Sequence, residues 1–233
     1  IADPADPRID DAAVPFAAAA APESFTVDPY HTFPNFMIER PVSVMFGRFN
    51  KTSGKVTLDR AAKTASDELN IEAASIDTGD NDKGSRPRSR DEHLRAADFF
   101  NVAEFPRMTF KSTKVGFAGD LPRTVEGNLT LLGVTRPVSL TIESFRCAQN
   151  PFNKQPMCGG NAVGRIKRSD FGMKAMIPMV GDDLALVRGV VAEGEDEIHI
   201  GRAGPGKFVP ILGAKLRRIV VEVLQELQCI GMY

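Results

Sequence analysis

The sequence predicts an all-β sandwich or barrel, and three observations predict it. Apolar and polar residues alternate with period two across most of residues 24–200. The alternating runs are short and are separated by Gly, Pro, Asn and Asp at hairpin spacing. A single run, residues 90–97, breaks the pattern with acids in front and good helix formers behind.

The elements follow in order. Residues 1–23 are Ala, Pro and Asp with little to pack, and read as a mobile leader or linker. Ser24 to Val27 opens the ordered region, and the turn-like tetrad Asp28-Pro29-Tyr30-His31 follows. Thr32, Pro34, Phe36 and Ile38 fall on one side of the next run. Val42, Val44 and Phe46 are expected to repeat this, with a bend at residues 47–50. Val56 and Leu58 alternate with polar neighbours, as do Leu69, Ile71 and Ala73. Strands are expected again over 108–116, 124–131, 138–143 and 161–167, and the last one over 195–200. With seven or more such strands, one face of each meets water and carries Lys, Asp, Glu and Thr. Beyond a Gly/Pro break at 203–206, Leu212, Leu216, Ile219, Val223, Leu227 and Ile230 recur at helical spacing. This tail, residues 203–233, reads as an amphipathic helix that docks or drives self-association, giving a possible homodimer.

Composition narrows the function. The chain has 233 residues, 42% hydrophobic and 25% charged, with a formal net charge of −1. Nothing in that balance is built to neutralise phosphates, so a nucleic-acid partner is not expected. No run of about 18 apolar residues is present, so no transmembrane helix is expected. The chain begins at Ile1 without a signal peptide, which is expected to have been removed or to lie outside the sequence.

Cys147 and Cys158 flank a Pro- and Asn-rich loop of ten residues, a spacing that suits a disulfide across a hairpin. Free thiols or half of a metal site are the alternatives, and a zinc site would need two more ligands at short spacing. A disulfide favours an oxidising compartment, and Cys229 is left over.

The densest signal is residues 90–110. Phe99, Phe100, Phe105 and Phe110 stand beside His93, four of the fifteen phenylalanines in twelve residues. A connector that apolar either plugs a core or covers a cavity. His93 lacks a serine elbow or other nucleophile nearby in sequence, so it reads as a structural or head-group residue rather than a catalyst. No catalytic residue is assigned. The three histidines are not at metal-ligand spacing, and no metal is expected.

Several motifs, taken together, resemble the YceI-like family, also called polyisoprenoid-binding proteins. They are Thr26-Val27-Asp28-Pro29 with His31, Phe46-Gly47-Arg48-Phe49, and Ala74-Ser75-Ile76-Asp77-Thr78-Gly79. Arg90-Asp91-Glu92-His93-Leu94-Arg95 with Asp98-Phe99-Phe100-Asn101, then Gly127 to Val138 and Arg168-Ser169-Asp170-Phe171-Gly172-Met173, complete the set in order.

The resemblance implies a lipocalin-like, extended antiparallel β-barrel of about eight strands over residues 24–202, exported to the periplasm. Its bore would hold a polyisoprenoid, an isoprenoid quinone or a fatty-acyl chain, with no cofactor required and no catalysis. Some members carry a cysteine pair where Cys147 and Cys158 stand. Within that expectation, alternation nominates Phe36, Phe46, Phe110, Leu129, Leu131 and Leu140 as wall residues. Phe99, Phe100 and Phe171 line or close the mouth, and His93 serves as lid or head-group contact. Asp170 is expected to cap or pair locally with an arginine. A lipid or quinone-precursor hydrolase using His93 and Asp91 is the alternative reading, and an interaction module working through the tail is another. Two departures from the family pattern stand out: residues 203–233 are not explained by it, and residues 181–193 are longer than the short turn expected before the last strand.

Overall fold

The structure is a computed structural model that describes residues 21–194. The strand expected over 195–200, the tail of 203–233 and most of the expected leader lie outside the described residues.

Eleven strands form, all paired antiparallel: β1 (Glu23–Val27), β2 (Pro34–Arg40), β3 (Ser43–Phe49), β4 (Thr52–Asp59), β5 (Thr64–Glu72), β6 (Ile76–Asp77), β7 (Arg107–Ala118), β8 (Leu121–Leu131), β9 (Val134–Gln149), β10 (Pro156–Lys167) and β11 (Asp183–Gly194). Among the described residues, one α-helix, α1 (Arg90–Arg95), interrupts them where its composition placed it.

The ring β1-β4-β5-β7-β8-β9-β10-β11 closes through the β1–β11 pairing, giving an eight-stranded antiparallel barrel as expected. The other three strands extend members of the ring. Along β11, β1 occupies one half through Val27↔Ala192, and β2 occupies the other through Ile38↔Leu184. β1 and β2 are thus two halves of one bent strand. β3 and β4 are related in the same way, and a 3-10 turn over Ala73–Ser75 separates β5 from β6.

The first bend has an identifiable cause. Thr32 is fully buried, and its Oγ1 both donates to the Val191 carbonyl and accepts from the Val191 N–H, each at 3.0 Å. The side chain thus bonds both backbone groups of Val191 at the kink. Between β8 and β9, Leu132 and Gly133 both take positive φ (51° and 72°), the requirement of a two-residue type I′ hairpin.

The interior is a stack of apolar clusters along the barrel. One lies under α1 and includes Phe36, Phe49, Leu94, Phe99, Phe100 and Leu131. The next holds Leu69, Phe110, Val125, Val138 and Leu140. Phe25, Leu58, Cys158 and Ala192 form the third, at the opposite end.

Two expectations are corrected here. Phe46 is not a wall residue: it is 63% exposed, and Val42 and Val44 on the same face are exposed too. The inward set on β3 is Met45, Gly47 and Phe49, one residue out of phase with the expected face. Gly47 conceals that phase, because its missing side chain makes room for the ring of Phe36.

The second correction concerns residues 181–193, expected as a connecting segment. Most of it is β11, which pairs with β10, β1 and β2 and so closes the barrel. Leu184, Leu186, Val190 and Ala192 border the interior. Ala185, Val187 and Val191 on the alternate positions are apolar as well, which erases the period-two signal.

Candidate lipid-binding cavity

Two cavities lie end to end inside the barrel. The one under α1 encloses about 1040 Å³ of empty space, its open part included. The second, toward the Cys147–Cys158 end, encloses about 760 Å³ on the same basis. Leu140 on β9 lines both, so the two are neighbours that share this wall residue. On β9 the lining runs from Val138 to Phe145, roughly 23 Å along the strand at about 3.3 Å per residue. Eight strands is the size at which a barrel either fills with side chains or holds one narrow ligand, and here space is left.

Phe36, Phe99, Phe100, Phe110, Leu129, Leu131 and Leu140 all line the upper compartment. β7 and β8 position Phe110 and Leu129 as register partners. Gly127 on β8 lets the Phe110 ring lie flat, since a Cβ there would stand 2.5 Å from Phe110 Cζ. Phe99 and Phe100 are delivered from the loop after α1, where Phe100 meets Phe49 edge to face at 5.5 Å between ring centroids.

α1 is anchored to the barrel by its own sequence. Ser89 and Glu92 form a reciprocal capping box, with Ser89 Oγ accepting from the Glu92 N–H. Asp91, 1% exposed, accepts from the Thr78 N–H and hydroxyl, and Arg90 Nε donates to the same hydroxyl. The helix therefore sits as a fixed cover beside β6.

His93 and Phe171 are not cavity residues. The His93 ring meets the edge of Phe99 at 4.9 Å, and its Nε2 is 2.7 Å from Asp98 Oδ2. It braces Phe99 from behind and does not reach the bore. Burial pushes the Asp98 carboxyl up, but the hydrogen bond from His93, the backbone and the nearby charges of His93 and Arg88 outweigh it and hold it below its ordinary value. The two residues of the hydrolase reading bond to different partners, Asp91 to Thr78 and His93 to Asp98. Phe171 is buried within the upper cluster at 2% exposure, and lines an outer pocket rather than the bore. The bond made at Asp170 is not the local cap or pairing expected of its side chain: its backbone carbonyl accepts from Arg136 Nε, 34 residues away.

The residue that sequence reasoning missed is Arg168. It is 1% exposed and lines the upper compartment, an otherwise almost wholly apolar space. Its guanidinium donates to four backbone carbonyls of the 173–181 loop: Gly181 at 2.8 Å, Met173 at 3.2 Å, Ala175 at 2.7 Å and Val180 at 2.9 Å. Burial lowers its pKa from the ordinary arginine value, and the charge of Asp182 opposes that. In the sequence it opens the motif Arg168-Ser169-Asp170-Phe171-Gly172-Met173, and no periodicity marks it as interior.

At the lower end Cys147 and Cys158 are direct cross-strand partners and form a disulfide. Arg60 closes that end, with Nη2 3.0 Å from Cys147 Sγ and Nε 3.1 Å from Glu23 Oε2. The lower compartment carries Ser66, Asp67 and Asn161 among its apolar lining.

With this geometry in hand, residues 25–192 match the family model of the YceI-like domain, which spans nearly all of the barrel. The chain belongs to the YceI-like family. Protein YceI of Salmonella newport is 34% identical over 172 residues, covering 73% of this chain and 86% of that one.

Among solved structures, Burkholderia cenocepacia BcnA is 26% identical with a TM-score of 0.57, covering 71% of this chain and all but 1% of its own. The Campylobacter jejuni YceI protein is 27% identical with a TM-score of 0.53, covering 68% of this chain and 90% of that one. A polyisoprenoid binding domain from Saccharophagus degradans, implicated in plant cell wall breakdown, shares the YceI-like fold at 18% identity and a TM-score of 0.53, covering 74% of this chain and 99% of that one.

Proposed function

We propose that this protein binds one long-chain lipid in its bore, a polyisoprenoid, an isoprenoid quinone or a related fatty-acyl chain, and stores or carries it without a chemical step. The observation that carries this reading is the pair of neighbouring apolar compartments, sharing Leu140, inside a closed barrel. A sequence of spaces that long and that narrow suits a hydrocarbon chain better than a compact polar molecule. Each CH₂ taken from water into such a bore is worth roughly 0.8 kcal/mol, so a chain of tens of carbons offsets its own ordering cost. The polyisoprenoid-binding domain that shares this fold supports the choice of ligand class. The Cys147–Cys158 disulfide suits an oxidising compartment, and we place the protein in the periplasm.

The test is organic extraction of the natively purified protein followed by mass spectrometry, together with uptake of a prenyl quinone by the stripped protein. A co-purifying prenyl or acyl lipid, or stoichiometric uptake, is the expected result. Repeated absence of both would remove the reading.

A further inference from the structure

We propose that Arg168 reads the polar end of the ligand, so that the bore prefers amphiphiles ending in a hydrogen-bond acceptor oxygen over plain hydrocarbons of the same length. This rests on the lipid-binding reading and specifies its ligand class: a quinone carbonyl, a carboxylate or a phosphate.

A guanidinium has five N–H donors in a fixed fork. Backbone carbonyls of the 173–181 loop accept four of them: one from Nε, two from Nη1 and one from Nη2. The fifth belongs to Nη2 and has no acceptor among the described residues. Arg168 is 1% exposed, so bulk water does not serve that donor. The same side chain lines the upper compartment, together with Met173 and Val180 from the loop it holds.

A buried donor without an acceptor carries its full desolvation cost, and a buried cation carries more. The carbonyl cage supplies dipoles but no negative charge. Asp182 is the nearest charge that favours the cation, and its carboxylate is bonded to the N–H and hydroxyl of Ser169. An oxygen at the end of a ligand would satisfy the donor, and a methyl end would leave it unmet. The geometry therefore gives the ligand a direction: head under α1 beside Arg168, tail past Leu140 toward Cys158.

The experiment measures dissociation constants of the stripped, folded chain for four ligands of equal prenyl length: the hydrocarbon, the quinone, the carboxylic acid and the monophosphate. A hydrogen bond to a charged donor implies that the three oxygen-bearing ligands bind roughly 10- to 100-fold tighter than the hydrocarbon. The quinone arm isolates hydrogen bonding, and the two anionic arms add charge. Equal affinity across all four would overturn the role of Arg168 while leaving lipid binding intact; failure of all four to bind would overturn both readings. Arg168→Lys, checked for a native near-UV spectrum, keeps the charge but not the fork, and is expected to lose most of the preference. Full retention of the preference in that variant would overturn the proposal.

Discussion

Phe46 and Phe100 separate two kinds of aromatic residue that look alike in the sequence. Phe46 is 63% exposed on the outer face of β3, so Phe46→Ser is expected to change stability by no more than about 0.5 kcal/mol and to leave lipid uptake unchanged. Phe100→Ala deletes a buried ring, and a loss of about 3 kcal/mol is expected by denaturant titration, at the lower end because the ring already borders open space. Asp182 offers a pH test. Hydrogen bonds from the Ser169 hydroxyl and N–H, aided by Lys167 and Arg168, outweigh burial and hold its carboxyl below the ordinary value. A depressed carboxyl contributes stability above its unfolded pKa of about 3.9, and that contribution is lost as pH falls through the lower folded value. Asp182→Asn is therefore expected to be less stable than the parent at pH 6, with the difference shrinking below about pH 4 in thermal melts. At this scale alternation placed Phe36, Phe110, Leu129, Leu131 and Leu140 correctly on the bore, because a strand with one wet face must alternate. It failed at Phe46, where a glycine stands in the inward position, and at Arg168, whose burial depends on carbonyls that only the folded loop brings together.

Among the elements, α1 and the β9–β10 pair each have a separable fastening. Ser89→Ala removes half of a capping box, and a loss of about 1 kcal/mol is expected, with unchanged β-sheet circular dichroism. Reducing the Cys147–Cys158 bond releases a short loop, and a loss of roughly 3 kcal/mol is expected on the loop-entropy model. A drop well under 1 kcal/mol would show that the ten or more paired residues of β10 and β11 hold that end by themselves. The helix was legible because acids and good helix formers coincide within eight residues. β11 was not, because both of its faces are apolar and two of its three neighbouring strands, β1 and β2, are far away in sequence. The bends that split β1 from β2 and β3 from β4 were visible only as turn residues. Their role, keeping one long strand in the ring while it curves, is a property of the closed barrel.

For the whole molecule, closure decides function. Pairing β1 with β11 turns a meander into a tube, and packing α1 with Phe99 and Phe100 over one end converts the tube into a compartment. The strands, the helix and the cysteine pair were within reach of local pattern or spacing, whereas the choice of a barrel over a sandwich came from the family resemblance. The empty volume was not, because inward apolar residues look the same in a filled core and in a lined cavity. That volume is the central claim, and a chain-length series tests it most directly. Affinities of the stripped protein for prenyl quinones of increasing length are expected to climb steeply while each added carbon is buried, at roughly 0.8 kcal/mol per CH₂ before ordering costs. They are then expected to level off once the tail fills the second compartment, with Leu140→Trp bringing the plateau to a shorter chain. An affinity independent of chain length, in parent and variant alike, would contradict a continuous lipid-holding bore.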